Sequence, residues 1–157
     1  DEQVEVIRKL LTGRVVEHAG PHYPFPRLQM RPAPTQPVPI WMGGQNAAAL
    51  RRAGRYADGW SGSGQRPAEA KIVLETIARH RREAGRSALP FDAIVPFLEP
   101  PTAAQRAELV ALGMTGTVSY PFPYALGPDA TLPQKLDHLR RYGDAVIAKE
   151  RDDGRLG

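Results

Sequence analysis

Pro39-Ile40-Trp41-Met42-Gly43-Gly44-Gln45-Asn46-Ala47-Ala48-Ala49-Leu50 is the stretch on which the fold turns. Val38 to Met42 is a short apolar run of strand character. Gly43 and Gly44 let the backbone turn with no Cβ in the way, and an alanine-rich helix opens at once at Asn46. The first turn of a helix carries N–H groups without intrahelical acceptors and a partial positive charge, a combination suited to phosphate. Gly43, Gly44, Gln45 and Asn46 are therefore the candidate anion-binding residues. Asn46 either caps the helix or turns its amide toward a phosphate oxygen, and Gln45 can do the second. A tight turn uses glycine for geometry alone, so a purely structural reading stands beside the functional one.

Working downstream, strand and helix patterns alternate. The helix from Asn46 to Tyr56 puts Leu50, Ala53 and Ala57 on one face, and Gly59 to Ser63 reads as a second strand. Ala68 to Ala84 is amphipathic, with Ala70, Val73, Leu74 and Ile77 turned inward and Gly85 as its stop. A third strand runs from Phe91 to Leu98. Thr102 caps a helix from Ala103 to Leu112, with Ala107, Val110 and Ala111 expected inside. Thr115 to Tyr120 reads as a fourth strand, and Leu132 to Lys149 as a last helix with Leu136, Leu139, Gly143, Val146 and Ile147 at core spacing.

Upstream, Val4, Ile7, Leu10 and Leu11 recur at helical spacing and Gly13 ends the pattern. Seven prolines between Pro21 and Pro39 then predict a long extended connection from Arg14 onward. The organisation expected is one domain over residues 1–157: a helix and proline-rich connection over 1–36, then four βα units over 37–150. Such alternation implies an α/β fold with parallel strands and right-handed crossovers, either an open doubly wound sheet or part of a closed barrel. Four units are half of an eight-unit barrel.

Composition bounds the function classes. Hydrophobic residues make up 41% and charged residues 24%, a globular profile, and the 16 prolines and 15 glycines suit many short connections. No cysteine is present, which removes disulfides and thiolate metal sites and makes a reducing, cytoplasmic setting the default expectation. No apolar run nears the ~20 residues that span a bilayer, so no membrane partner is expected. The chain opens on Asp1 inside a helical pattern, without a basic-then-apolar leader, and the expectation is a fragment, a processed chain or a truncated one. The formal charge is +4, but Arg51, Arg52, Arg55, Arg79, Arg81 and Arg82 lie on polar helix faces among acids such as Glu69, Glu75 and Glu83. With no interleaved aromatics and no groove-reading motif, nucleic acid is not an expected partner.

Arg51-Arg52-Ala53-Gly54-Arg55-Tyr56-Ala57-Asp58-Gly59-Trp60 continues the opening stretch. Together with Pro39-Ile40, the glycine pair and Ala49-Leu50, it resembles the signature of the luciferase-like flavin and deazaflavin oxidoreductases. Gly20-Pro21-His22-Tyr23 and the prolines up to Pro39 resemble that family's preceding connection. The resemblance spans nearly the whole chain as helix four through helix eight; Gly43 to Trp60 is its specific part, and the last third matches in rhythm. It implies the C-terminal half of a TIM (β/α)8 barrel. It also implies F-420 or FMN as cofactor, with the phosphate held at Gly43, Gly44, Gln45 and Asn46 and the ring at the C-terminal mouth. The alanine- and arginine-rich, cysteine-free composition leans toward the deazaflavin. The reaction implied is hydride transfer, or monooxygenation with FMN, on a small organic substrate, and no catalytic side chain is named. Four earlier strand–helix units that a full member has are absent, so the expected partners are a missing N-terminal half or a second copy.

Other residues carry weaker signals. Asp58 and Trp60 read as structural, one tying a turn and the other packing at the base of its strand, while Ser61 and Ser63 run toward the mouth or simply toward solvent. Glu99 and Tyr120 end strands on the face where barrels keep their chemistry. Tyr124 covers a ring or fills a gap. His22 is a loop candidate for substrate contact. No metal site is expected, since His18, His22, His80 and His138 form no ligand pair on a helix. No Gly-x-Ser-x-Gly elbow and no Walker loop appear. Two alternatives remain: a non-catalytic half-barrel serving as a binding or assembly module, and an unrelated barrel acting on sugar phosphates.

Overall fold

A computed structural model describes residues 1–99, 101–118 and 122–144. The chain divides into two compact units, Asp1–Val118 and Ser119–Gly157. In the first, helix α1 (Glu2–Leu11) leads into strands β1 (Val16–His18) and β2 (Phe25–Leu28). Then follow β3 (Trp41–Met42), α2 (Ala47–Tyr56), β4 (Gly59–Ser61), α3 (Pro67–Glu83), β5 (Asp92–Ile94) and α4 (Ala103–Ala111).

The expected α/β alternation forms a parallel sheet in chain order, β3-β4-β5. Trp41 pairs with Gly59 and Met42 with Trp60, while Gly59, Trp60 and Ser61 pair with Asp92, Ala93 and Ile94. Because side chains alternate across a sheet, this register puts Met42, Trp60 and Ala93 on one face. That face joins Leu50, Ala53, Ala70, Val73, Leu74, Ile77, Val95 and Phe97 in the hydrophobic core beneath the helices. α2 packs on α3, and α3 on α4, as neighbours in one helical layer.

The helices are well signalled locally. Arg66 N–H donates to Glu69 Oε2 at 2.9 Å and Pro67 opens α3, and Thr102 and Gln105 exchange backbone and side-chain bonds at the start of α4. Gly13 and Gly85 end α1 and α3 at φ of 64° and 66°.

Several expectations are corrected. The proline-rich connection contains a hairpin, in which Val16 faces Leu28 and His18 faces Phe25 in antiparallel pairing. Proline at position 26 is compatible with this two-stranded ribbon, where one edge is free of ladder partners. In place of a fourth strand from Thr115, the described residues show a single parallel bridge, Ile94 to Gly116; Tyr120 lies outside the described residues. The inner residues of α4 are Leu109 and, just after the helix, Met114, whereas Val110 is 55% exposed. In a nine-residue helix crowded with apolar side chains, periodicity leaves the buried face ambiguous by one position, and packing chose the larger leucine.

In the second unit α5 (Phe122–Leu126) precedes α6 (Leu132–Tyr142), with Phe122 edge-on to His138 at 6.1 Å. α6 buries none of its side chains among the described residues, and Leu136 and Leu139, expected in a core, are exposed. Periodicity identifies the side of a helix that favours burial and does not supply the surface that covers it. Val146 and Ile147 lie outside the described residues.

Candidate functional site

The turn between β3 and α2 lies at the C-terminal end of a parallel strand, where α/β sheets place their ligands. Gly44 has φ of 92°, a left-handed backbone in which a side chain would be strained, and a Cβ there would come 2.9 Å from the Ala49 Cβ. At Gly43 a Cβ would meet only the Ser61 carbonyl oxygen, at 3.6 Å, which is ordinary contact. The two glycines thus differ: Gly44 makes the turn, and Gly43 keeps the surface bare.

Asn46 caps α2. Its Oδ1 accepts from Ala49 N–H at 2.8 Å, and its own backbone is extended, as an N-cap requires. Among the described residues no protein group accepts from the N–H of Ala47 or Ala48. Residues 43–48 are exposed to solvent. The helix start is therefore open, unpaired and electropositive.

Gln45 turns toward the next loop. Its Nε2 donates to Ser63 Oγ at 2.8 Å and to Ser63 O at 3.0 Å. Because Ser63 Oγ accepts there, its hydroxyl proton stays available to a ligand at the same rim. Trp60 makes the second link between the two loops. It is fully buried and its Nε1–H donates to Gly44 O at 2.9 Å. The far edge of the same ring lies under Gly62, where a Cβ would approach it to 2.5 Å. Trp60 thus belongs beneath the turn, reaching the C-terminal ends of the strands from the core, and not at the base of its strand.

Asp58 sits at the opposite end of β4 and serves architecture. Its carboxylate accepts from Ile40 N–H at 2.9 Å, from Arg8 at 2.8 Å and from Arg86 at 3.3 Å. Burial alone would raise its pKa, but the Ile40 N–H and the two guanidinium groups outweigh that and hold it below the usual aspartate value. This knot ties α1, the start of β3 and the segment after α3 to one carboxylate.

The remaining candidates fall elsewhere. His22 uses its backbone N–H to reach Glu2, at 3.1 Å, in the hairpin region. Glu99 is exposed after the third strand segment. Tyr120 and the side chain of Tyr124 lie outside the described residues. Gln65 was missed by sequence reasoning. It is 1% exposed, its backbone bridges to the end of the β5 segment, and its Oε1 is buried with no partner. A glutamine in a loop gives no sequence signal of burial.

A glycine turn, a capped helix and a buried tryptophan from the following strand match the motif that suggested a family. The family model for luciferase-like monooxygenases matches residues 1–155. The chain belongs to that family. This luciferase-like chain is 41% identical over 151 residues to an uncharacterized protein of Mycobacterium tuberculosis, covering 95% of this chain and 52% of that protein. It is also 40% identical over 87 residues to an F-420-dependent glucose-6-phosphate dehydrogenase of Nakamurella multipartita, covering 54% of this chain and 26% of that enzyme. The chain thus spans about half the length of the first relative. In fold it is similar to the coenzyme F-420-dependent tetrahydromethanopterin reductase of Methanopyrus kandleri. The TM-score is 0.63 at 17% identity, over 77% of this chain and 56% of that one. No helix among the described residues is long and apolar enough to cross a membrane.

Proposed function

We propose that this chain is the C-terminal half of a (β/α)8 barrel and holds the phosphate of F-420 at the start of α2, in an oxidoreductase acting on a small organic substrate. The observation that carries the reading is the pair of unpaired N–H groups, at Ala47 and Ala48, presented beyond Gly43 and Gly44. The residues fit a phosphate: a bare Gly43, a left-handed Gly44, a cap that occupies Asn46 Oδ1 and leaves the next amides free, and the Ser63 hydroxyl alongside. F-420 is favoured over FMN by the names of the Nakamurella and Methanopyrus proteins. The deazaflavin ring supplies hydride chemistry when bound. The protein's share at this site is to fix the phosphate end through backbone dipoles and so set where the rest of the molecule lies.

The half-barrel reading is supported by strand order. Right-handed crossovers between strands that follow chain order place successive helices on one face, as in a barrel wall. The opposite face bears Trp41, 43% exposed, lying against Gly59, whose added Cβ would meet the indole at 2.7 Å. Further strand–helix units, from a second copy or from the remainder of a longer chain, would cover that face and pair the open edges.

The test is titration of the purified chain with F-420, followed by cofactor fluorescence, with inorganic phosphate as competitor. Saturable binding that phosphate weakens is the expected result. No binding by the chain alone, or by the chain joined to a complementary half, overturns the phosphate site. Affinity for sugar phosphates with none for the F-420 ring favours the sugar-phosphate alternative.

A further inference from the structure

Trp60 and Ala93 are buried beneath the helices. By alternation along the strands, Trp41, Gly59 and Asp92 therefore form one row on the opposite face of the sheet, with Ser61 and Ile94 in the next. Each end of the first row has an unusual feature.

At one end is the indole. A Cβ placed at Gly59 would meet Trp41 Nε1, Cδ1 and Cε2 at 2.7, 2.8 and 2.8 Å. Nearly equal distances to three consecutive ring atoms put that point over the face of the ring and not at its edge. The indole lies flat across Gly59, which it buries, and it presents its other face outward at 43% exposure. It reaches from β3 over β4, toward the strand that carries Asp92.

At the other end, Asp92 is exposed, and its carboxylate has no hydrogen-bond or ion-pair partner among the described residues. None of the described residues in these two rows is a cation. An indole face and a carboxylate attract the same kind of group, a cation, and the bare Gly59 and small Ser61 leave room for a long side chain. A flat guanidinium suits both, since it stacks on an aromatic face and pairs with a carboxylate.

We propose that this face is closed by a complementary half-barrel of different sequence, which presents an arginine that lies on Trp41 and pairs with Asp92. A second copy would bring another Asp92 and no cation from these rows, opposing like charges in a closed interior. A partner of different sequence escapes that cost. The relative from Mycobacterium tuberculosis, of which this chain covers 52%, has the length for one. The inference rests on the half-barrel reading and specifies the partner that reading requires.

The probe is N-acetylarginine amide, added to the full chain, with N-acetylcitrulline amide as the uncharged analogue of the same shape. Binding is followed by NMR at the Trp41 indole N–H, assigned by its persistence in Trp60→Phe, and at the Asp92 amide. A saturable shift is expected, with the arginine compound binding roughly fivefold tighter than the citrulline compound. Asp92→Asn, a change at an exposed position, should bring the arginine compound to the citrulline level with an unchanged melting temperature. In sedimentation the parent should remain a monomer with Trp41 open to acrylamide. Equal binding of the two compounds, no saturation, an undiminished preference in Asp92→Asn, or a parent dimer that shields Trp41 would each overturn the proposal. That dimer would leave the half-barrel reading in place with a copy as the other half. A face covered neither by a copy nor by a complementary half removes that reading as well.

Discussion

The indole N–H of Trp60, from the middle of one parallel strand, donates to the carbonyl of Gly44, in the turn that ends the strand beside it, at 2.9 Å. The bond runs from the core to the rim of the candidate phosphate site. Gln45 and Ser63 link the same two loops from the solvent side. The turn is therefore held from below and from above, which fixes the direction of the amides at the start of α2.

Trp60→Phe separates these contributions. Phenylalanine keeps part of the buried ring but loses the donor and some volume, so a loss of about 1–3 kcal/mol in stability is expected. F-420 affinity should fall several-fold beyond what the lost stability explains, measured by titration at a temperature where both proteins are folded. Unchanged affinity would show that the indole packs the core without positioning the turn.

The glycines should respond unequally. Gly44→Ala forces a side chain into a left-handed backbone and against Ala49, at a cost of about 1–3 kcal/mol. Gly43→Ala meets no such barrier and should melt within about 0.5 kcal/mol of the parent. If the phosphate lies on this surface, Gly43→Ala nevertheless weakens F-420 binding. Equal melting temperatures for the two variants would contradict the turn geometry.

Asn46 allows stability and binding to be driven in opposite directions. Asn46→Asp retains the capping oxygen and adds a negative charge to the positive end of α2, so the fold should hold or gain a few tenths of a kcal/mol. The same charge opposes a phosphate and should reduce F-420 affinity roughly tenfold. Asn46→Ala, by contrast, should cost about 1 kcal/mol of stability. If the Asn46→Asp protein binds F-420 as well as the parent does, the phosphate lies elsewhere.

Asp58 sets an acid limit. Its folded pKa lies below the ordinary value of 3.8, so the folded state favours the charged form. The stabilisation is complete above the unfolded pKa and is lost as pH falls through the lower, folded value. Asp58→Asn should therefore lower the melting temperature at neutral pH, and the gap to the parent should narrow below about pH 4. A gap that stays constant down to pH 2 would mean that the carboxylate charge contributes nothing to holding Arg8 and Arg86.

Trp41 reports on the exposed sheet face. The chain has two tryptophans, and with Trp60→Phe the emission comes from Trp41 alone. Covering that face, by a second copy or by a complementary half, should shift its emission to the blue and reduce acrylamide quenching. Quenching that is independent of both concentration and added partner counts against barrel completion through this surface.

Much of this protein is written in local pattern. The helices α1, α2 and α3, their glycine stops at Gly13 and Gly85, and the strand–glycine–helix turn all follow from spacing and backbone freedom, which neighbouring residues set between themselves. The same holds for the core residues Leu50, Ala53, Ala70, Val73, Leu74 and Ile77, which share one face by helical period. Sequence alone also placed the candidate anion site at the start of α2, because a helix end leaves the same amides free wherever it occurs. Which of its neighbours would support that site was a different matter. Trp60 reaches Gly44, Gln45 reaches Ser63, and Asp58 gathers Arg8 and Arg86 across separations of 16, 18, 50 and 28 residues. Such pairings depend on strand register and loop path, so they exist only once the sheet has assembled. Burial of Leu109 over Val110, and of Arg81 against the Phe91 ring, were likewise settled by packing, where volume and cavity shape outweigh any preference carried by the residue itself.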